Sequence, residues 1–232
     1  MKCIRWRSLA LAGLTALAGC ALAPRSEPPT PVGDSWQAVS LPGKAPTRYA
    51  WTYKDGRTAI GARADNSASM WRRQLPVPPE RLGEVDFSWW VTAVIEGASV
   101  ADTDREDAPA RVLFAFDGDS ARLSPRNRMM FELAQALTGE APPYATLMYV
   151  WDATAPVGSV IPNPRTDRVR KIVVDSGSEH LGQWRDHRRD LVADFRRAFG
   201  EEPGALLAIA VMTDSDNTHS TASAWYGPVT LR

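Results

Sequence analysis

Five short apolar runs, each closed by residues that turn the backbone, constrain the fold of this chain more than any other feature. Val85-Asp86-Phe87-Ser88-Trp89-Trp90-Val91 alternates and then stays apolar to Ile95. Arg111 to Phe116, Thr146 to Trp151, Val169 to Val174 and Leu206 to Met212 are rich in β-branched and aromatic residues. Such runs read as strands when turn formers bound them, here Asp117-Gly118, Asp152, Asp175-Ser176-Gly177 and Asp214-Ser215. Tyr49 to Tyr53 followed by Asp55-Gly56 predicts a hairpin, and Ser223 to Leu231 adds a final strand. Only two segments carry helix signals. Ser124-Pro125 is a cap with proline at the first helical position, with Met130, Leu133 and Leu137 along one face before Gly139. Asp186 to Phe199 is expected to set Leu191, Val192, Phe195 and Phe199 on a core and to turn Arg188, Arg189, Arg196 and Arg197 outward, ending at Gly200. Many strands and two helical excursions predict an all-β chain, an antiparallel jelly-roll-like β-sandwich.

The N-terminus reads as an export signal. Lys2, Arg5 and Arg7 precede an apolar run from Ser8 to Ala18 and the small pair Gly19-Cys20. At about 1.5 Å per residue that run is too short for a bilayer core of roughly 30 Å. Leu17-Ala18-Gly19-Cys20 resembles the bacterial lipobox, which implies cleavage before Cys20 and acyl chains on it. Three chains anchor firmly, since two already do. Ala21 stands where an inner-membrane retention signal resembles aspartate, so the expected location is the outer membrane, facing the periplasm. Residues 1–19 are the signal. Residues 20–46, with Pro24, Pro28, Pro29, Pro31, Pro42 and Pro46, read as a lipidated tether, although Trp36 and Val39 already suit a first strand. Residues 47–232 form one domain.

Cleavage also settles the thiol and charge questions. Cys3 leaves with the signal and lipid blocks Cys20, so no disulfide or cysteine-held metal is expected. Removing three of 27 basic residues leaves 24 against 27 acidic ones, a net of −3. That balance gives no electrostatic ground for binding nucleic acid.

Several stretches together resemble one bacterial family. They are Trp89-Trp90-Val91, Asp104 to Val112, Leu147 to Trp151, Ser176-Gly177, Leu181-Gly182-Gln183-Trp184, Arg189-Asp190, Asp194 to Gly200, and Ala210-Val211-Met212-Thr213-Asp214-Ser215-Asp216-Asn217-Thr218. The family is domain of unknown function number three thousand and forty-seven, and the resemblance runs from Tyr49 to Leu231. It is similar to jelly-roll sandwiches of the carbohydrate-binding-module kind, which implies the fold and no activity. The chain departs from it at His219, where glycine is expected, and at Pro228, where an acid is expected.

Two enzyme readings compete with a binding one. Gly118-Asp119-Ser120 after an apolar strand resembles the nucleophile block of GDSL esterases, and Asp216 with His219 resembles their Asp-x-x-His block. Ser120 would attack, His219 would act as base and Asp216 would orient it. Those esterases need a parallel sheet with several helices, which this pattern lacks. An acid/base enzyme acting on glycans would instead draw on Asp104, Asp107 or Asp214. The same acids with amide oxygens suit Ca²⁺, above all Asp214 and Asp216. Neither acidic stretch fits an EF-hand loop, whose sixth position needs glycine where these carry Asp107 or His219. The plainer reading is that aspartates close strands and cap turns. His180 and His187 have no partner at ligand spacing and suit the surface.

Nine tryptophans remain to be explained, eight of them after Cys20. Indole faces stack on sugar C–H surfaces, although most buried aromatics are core. Trp89 and Trp90 are adjacent, so a strand must send them to opposite faces. The resulting expectation is a membrane-anchored lipoprotein whose sandwich binds a ligand, a glycan or envelope polysaccharide, and uses no cofactor unless a structural Ca²⁺. The expected ligand-binding residues are Trp90, Asp104, Asp107, Arg111, Asp214, Asp216 and Asn217. Hydrolysis is the alternative.

Overall fold

A computed structural model describes residues 36–232. The signal segment, Cys20 and the tether up to residue 35 lie outside the described residues. In chain order the elements are β1 (Gln37–Ser40), β2 (Arg48–Lys54), β3 (Arg57–Asp65), β4 (Ala68–Val77), β5 (Glu84–Val91), β6 (Ala108–Phe116), α1 (Pro125–Thr138), β7 (Ala145–Asp152), β8 (Val160–Pro162), β9 (Val169–Ser176), β10 (Arg185–Asp190), α2 (Leu191–Phe199), β11 (Leu206–Asp214), β12 (Thr221–Tyr226) and β13 (Thr230–Leu231). They form a β-sandwich. The seven-stranded sheet runs β1-β4-β11-β6-β7-β9-β8, and the six-stranded one runs β10-β5-β12-β3-β2 with β13 also on β5. No described helix is long and apolar enough to cross a membrane.

Local chemistry accounts for most of this. Asp55 and Gly56 both take positive φ, 45° and 81°, as a two-residue hairpin turn between β2 and β3 requires. Alternation then packs Phe114, Leu147, Tyr149, Ile172 and Val211 from one sheet against Ile60, Val85, Phe87, Trp89 and Tyr226 from the other. Trp89 is fully buried and Trp90 points to the other side of β5. Two tyrosines of the six-stranded sheet reach across this core. The Tyr226 hydroxyl donates to the Met212 carbonyl at 2.6 Å and accepts the Arg111 backbone N–H at 3.3 Å. The Tyr49 hydroxyl donates to the Ser69 carbonyl at 2.6 Å and accepts the Thr213 N–H at 3.3 Å.

Several local expectations need correction. Arg185–Asp190 is a strand paired with β5, so the helix begins only at Leu191, with Asp190 capping the Ala193 N–H. β10 lies at a sheet edge, where charged side chains guard against pairing with another chain. The α1 face is not a core face: Leu133 and Leu137 are 59 and 66% exposed, Met130 is only half-buried, and the helix buries only Asn127. The apolar run after Val91 leaves the sheet, and Ile95 joins Ala64, Ala98 and Ala222 in a separate small cluster. β7 and β9 are parallel because the chain first lays β8 beyond β9 and then returns between them. His187, expected on the surface, is largely buried against Phe87 and bonded to Asp175 at 2.8 Å. Upstream of Thr47, β1 already pairs with β4.

Candidate functional site

Pairing of β6 with β11 sets Ala108 opposite Asp214 and Arg111 opposite Met212, so Arg111 and Asp214 share the outer face of the seven-stranded sheet. Arg111 Nε and Nη2 each donate to one Asp214 oxygen at 2.9 Å, and Nη2 also donates to the Glu106 carbonyl at 2.9 Å. The Ala108 N–H reaches the same carboxylate at 3.1 Å. On β9, Lys171 Nζ lies 2.6 Å from Glu106 Oε1 and 2.6 Å from the Val100 carbonyl. Arg111 is 2% exposed and Lys171 0%, so these charges persist only because they are paired. Burial pushes the Asp214 acid up to about 6, against the pull of Arg111. Burial, aided by the Arg111 charge, lowers the Lys171 ammonium.

The neighbouring acids fasten loops. Asp107 accepts the backbone N–H groups of Asn217 and Thr218 at 3.2 and 2.7 Å and the Thr218 hydroxyl at 2.6 Å. Asn217 Nδ2 donates to the Thr103 carbonyl at 3.1 Å, and Asp216 pairs with Lys44. Asp107, Asp214 and Asp216 bring carboxylate oxygens within 4.8 Å of one another. Arg111, Lys44 and the 217–218 amides already occupy those oxygens, so Ca²⁺ would have to displace an ammonium or a guanidinium. Asp104 stays out of the network; it is exposed and gives only its backbone N–H to Asp102.

A cavity of about 290 Å³ opens beside this network on the same face. Leu41, Met70, Leu113, Met148, Ala210 and Met212 form its walls, and Arg111, Glu106 and Asp214 close one end.

Trp90 lies on the opposite side of the molecule, on the outer face of the six-stranded sheet. Trp225 sits directly across from it on β12, and Trp184 meets it edge-on at 6.1 Å. Lys54 Nζ lies 4.5 Å from the Trp90 ring centre and 4.4 Å from that of Trp225, and the Arg57 guanidinium lies 5.0 Å from that of Trp184. Gly61, opposite Trp225 on β3, leaves room for the indole; a Cβ there would stand 2.9 Å from Thr52 Cγ2 and 3.3 Å from Trp225 Nε1. Two carboxylates of this face are held by arginines. Bonds from Arg188 and Arg232 pull Asp86 down to about 2, and Arg57 lowers Asp186.

A family model described as protein of unknown function (DUF3047) matches residues 34–230. The chain belongs to the DUF3047 family. No curated protein matches it. Among solved structures, it is similar to the xyloglucanase domain of NopAA, a type three effector from Sinorhizobium fredii, in complex with cellobiose. That likeness has a TM-score of 0.45 and 10% identity, over 86% of this chain and 94% of the other.

In this DUF3047 domain the residues of the esterase reading are kept apart. Ser120 lies beyond Phe116, the end of β6 that faces Leu206, while Asp216 and His219 lie beyond Asp214 at the other end of β11. At ~3.3 Å per residue those ends are roughly 25 Å apart. Ser120 is therefore no partner of His219, whose ring bonds Asn66 instead. His219 has φ of 52°, a left-handed conformation that suits glycine, which explains why glycine was expected there.

The expected site residues thus divide. Asp107, Arg111, Asp214, Asp216 and Asn217 come together at one end of one sheet, and Trp90 stands alone among them on the other. Sequence reasoning missed Lys171, although a lysine inside the apolar run Val169–Val174 was a visible signal. It also missed Trp184 and Trp225 as neighbours of Trp90, which only strand register reveals.

Proposed function

We propose that this domain is a glycan-binding module of the bacterial envelope and that the outer face of the six-stranded sheet carries the glycan. The supporting observation is the row Trp184, Trp90 and Trp225, placed where the core does not need it. Half-exposed indoles offer apolar rings to sugar C–H faces, and Ser223 and Thr52 stand beside them on the same face to bond hydroxyls. Lys54 and Arg57 rest on these rings, but such contacts are worth only about 0.5–1 kcal/mol at exposed sites. A sugar ring can displace them. Binding is favoured over hydrolysis because Asp86 and Asp186, on this face, are arginine-bound and acidified, which leaves neither suited to donate a proton near neutral pH.

Affinity electrophoresis through gels containing β-glucan, peptidoglycan strands or an acidic exopolysaccharide tests the reading. Trp90→Ala and Trp225→Ala should abolish retardation without lowering the melting temperature. Wild-type protein that none of the three retards, or alanine variants that bind as well as wild type, would refute it.

The same proposal places the domain on a lipid at Cys20, at the periplasmic side of the outer membrane, on the strength of the basic start, the apolar run and Leu17-Ala18-Gly19-Cys20. Mass spectrometry of membrane-extracted protein should find an acylated peptide beginning at Cys20. An unmodified N-terminus elsewhere removes the anchor.

A further inference from the structure

We infer that the cavity on the outer face of the seven-stranded sheet is a second ligand site, for a small neutral molecule with an aliphatic body and one hydroxyl or carboxamide. This site is independent of the tryptophan face.

The walls fix the body of the ligand. Leu41, Met70, Leu113, Met148, Ala210 and Met212 offer only apolar surface, and three flexible methionines adapt to an alkyl chain better than to a rigid ring. The volume of about 290 Å³ lies at the small end of ligand pockets. At the ~30 Å³ each water occupies in the liquid, it matches roughly ten heavy atoms. The cavity shares Leu41, Met70, Arg72 and Pro143 with a groove that continues past Val39 to Ala134 and Leu137 of α1, which supplies an entrance.

The closed end fixes the head group. Arg111 is 2% exposed and spends Nε and Nη2 on Asp214 and the Glu106 carbonyl. Its Nη1 has only a 3.8 Å approach to Glu106 Oε1, too long for a hydrogen bond. Glu106 commits Oε1 to Lys171, and among the described residues none donates to its Oε2. A donor and an acceptor therefore lie side by side at the end of an apolar cavity. The charges around that end are already spoken for: Arg111 pairs with Asp214, Lys171 with Glu106, Arg72 with Glu140 and Lys44 with Asp216, and Asp107 is held by the 217–218 amides. A carboxylate would face Glu106, and an ammonium would face Arg111. Either would meet one opposite charge already neutralised by its own pair and one like charge, so its desolvation is poorly repaid. A hydroxyl or carboxamide accepts from Nη1 and donates to Oε2 at once.

The test compares four probes of one chain length on the described protein: 1-octanol, octanamide, octanoate and octylammonium. 1-Octanol and octanamide should bind saturably by calorimetry and raise the melting temperature by roughly 3–6 °C at about ten times Kd. Octanoate and octylammonium should bind at least ten-fold more weakly. Ala210→Phe fills the cavity and should abolish the response while glycan retardation survives; if that variant does not fold, Ala115→Leu at the half-exposed rim serves instead. Equal binding of octanoate or octylammonium would overturn the head-group assignment. No saturable binding of either neutral probe, or binding undiminished in the filled variant, would overturn the site.

Discussion

Arg111 and Asp214 meet fork to fork across neighbouring strands, two 2.9 Å bonds joining one guanidinium to both oxygens of one carboxylate. Both side chains are almost wholly buried, at 2 and 6% exposure. Burial outweighs attraction for the acid, which therefore titrates near 6 instead of 3.8. An acid with a raised folded pKa keeps its proton in the native state after the unfolded chain has lost its own. Its contribution to stability is thus full below about 3.8 and disappears as the pH climbs through about 6. Asparagine copies the protonated acid in shape and charge. Asp214→Asn should therefore gain on wild type between pH 4 and pH 7.5, by on the order of 2–3 kcal/mol. Urea denaturation at both pH values measures this, and a difference that stays constant with pH contradicts it.

Asp107 should behave differently, because its oxygens hold backbone N–H groups of the 217–218 turn and not a cation. Asp107→Ala leaves two half-buried amides short of an acceptor and should cost about 1–3 kcal/mol in denaturant titrations. Retardation by glycan should not change, since the tryptophan row lies on the other sheet. Loss of binding with unchanged stability would instead make Asp107 part of a ligand site.

Phe195 is fully buried on α2, 4.7 Å from the Phe116 ring and 4.5 Å from that of Phe199. Phe195→Ala should destabilise the domain by about 3–5 kcal/mol. A cost below about 0.5 kcal/mol is what a surface position gives.

Leu133 is the contrasting case. It is 59% exposed on α1, so Leu133→Gln should change stability by less than about 0.5 kcal/mol. A larger loss would show that α1 is covered in solution.

The fold was legible where apolar and polar residues alternate, as in Phe87-Ser88-Trp89, or where a short apolar run ends in turn formers, as in Leu113-Phe114-Ala115-Phe116 before Asp117-Gly118. It was hidden in β10, Arg-Asp-His-Arg-Arg-Asp, where an edge strand carries charges on both faces and leaves no apolar period to read. The α1 signals were true to local chemistry, a serine cap and a glycine stop, and silent about packing. Asp107, Arg111 and Asp214 stood out because charges crowd beside apolar strands there. Nothing in the sequence said that Arg111 would choose Asp214 over Asp107, since a register set by β6 and β11 made that choice. Trp90 was readable as outward-facing from its neighbour Trp89. Its company of Trp184 and Trp225 depends on strand order, which one sequence does not display.

The hydroxyls of Tyr49 and Tyr226 have a mechanical consequence. Apolar contact between two sheets is non-directional and resists separation far better than sliding. These two phenols act as dowels: each is rooted in one layer and hydrogen-bonded to backbone of the other, within one residue of Thr213 or at Ser69. Shear of one layer over the other would break those bonds first, directly behind the Arg111–Asp214 pair. The alignment of the two layers therefore rests on directional bonds, these two phenols together with Trp89 Nε1 and Arg185, which reach Asp175 of the other sheet at 2.7 and 3.1 Å.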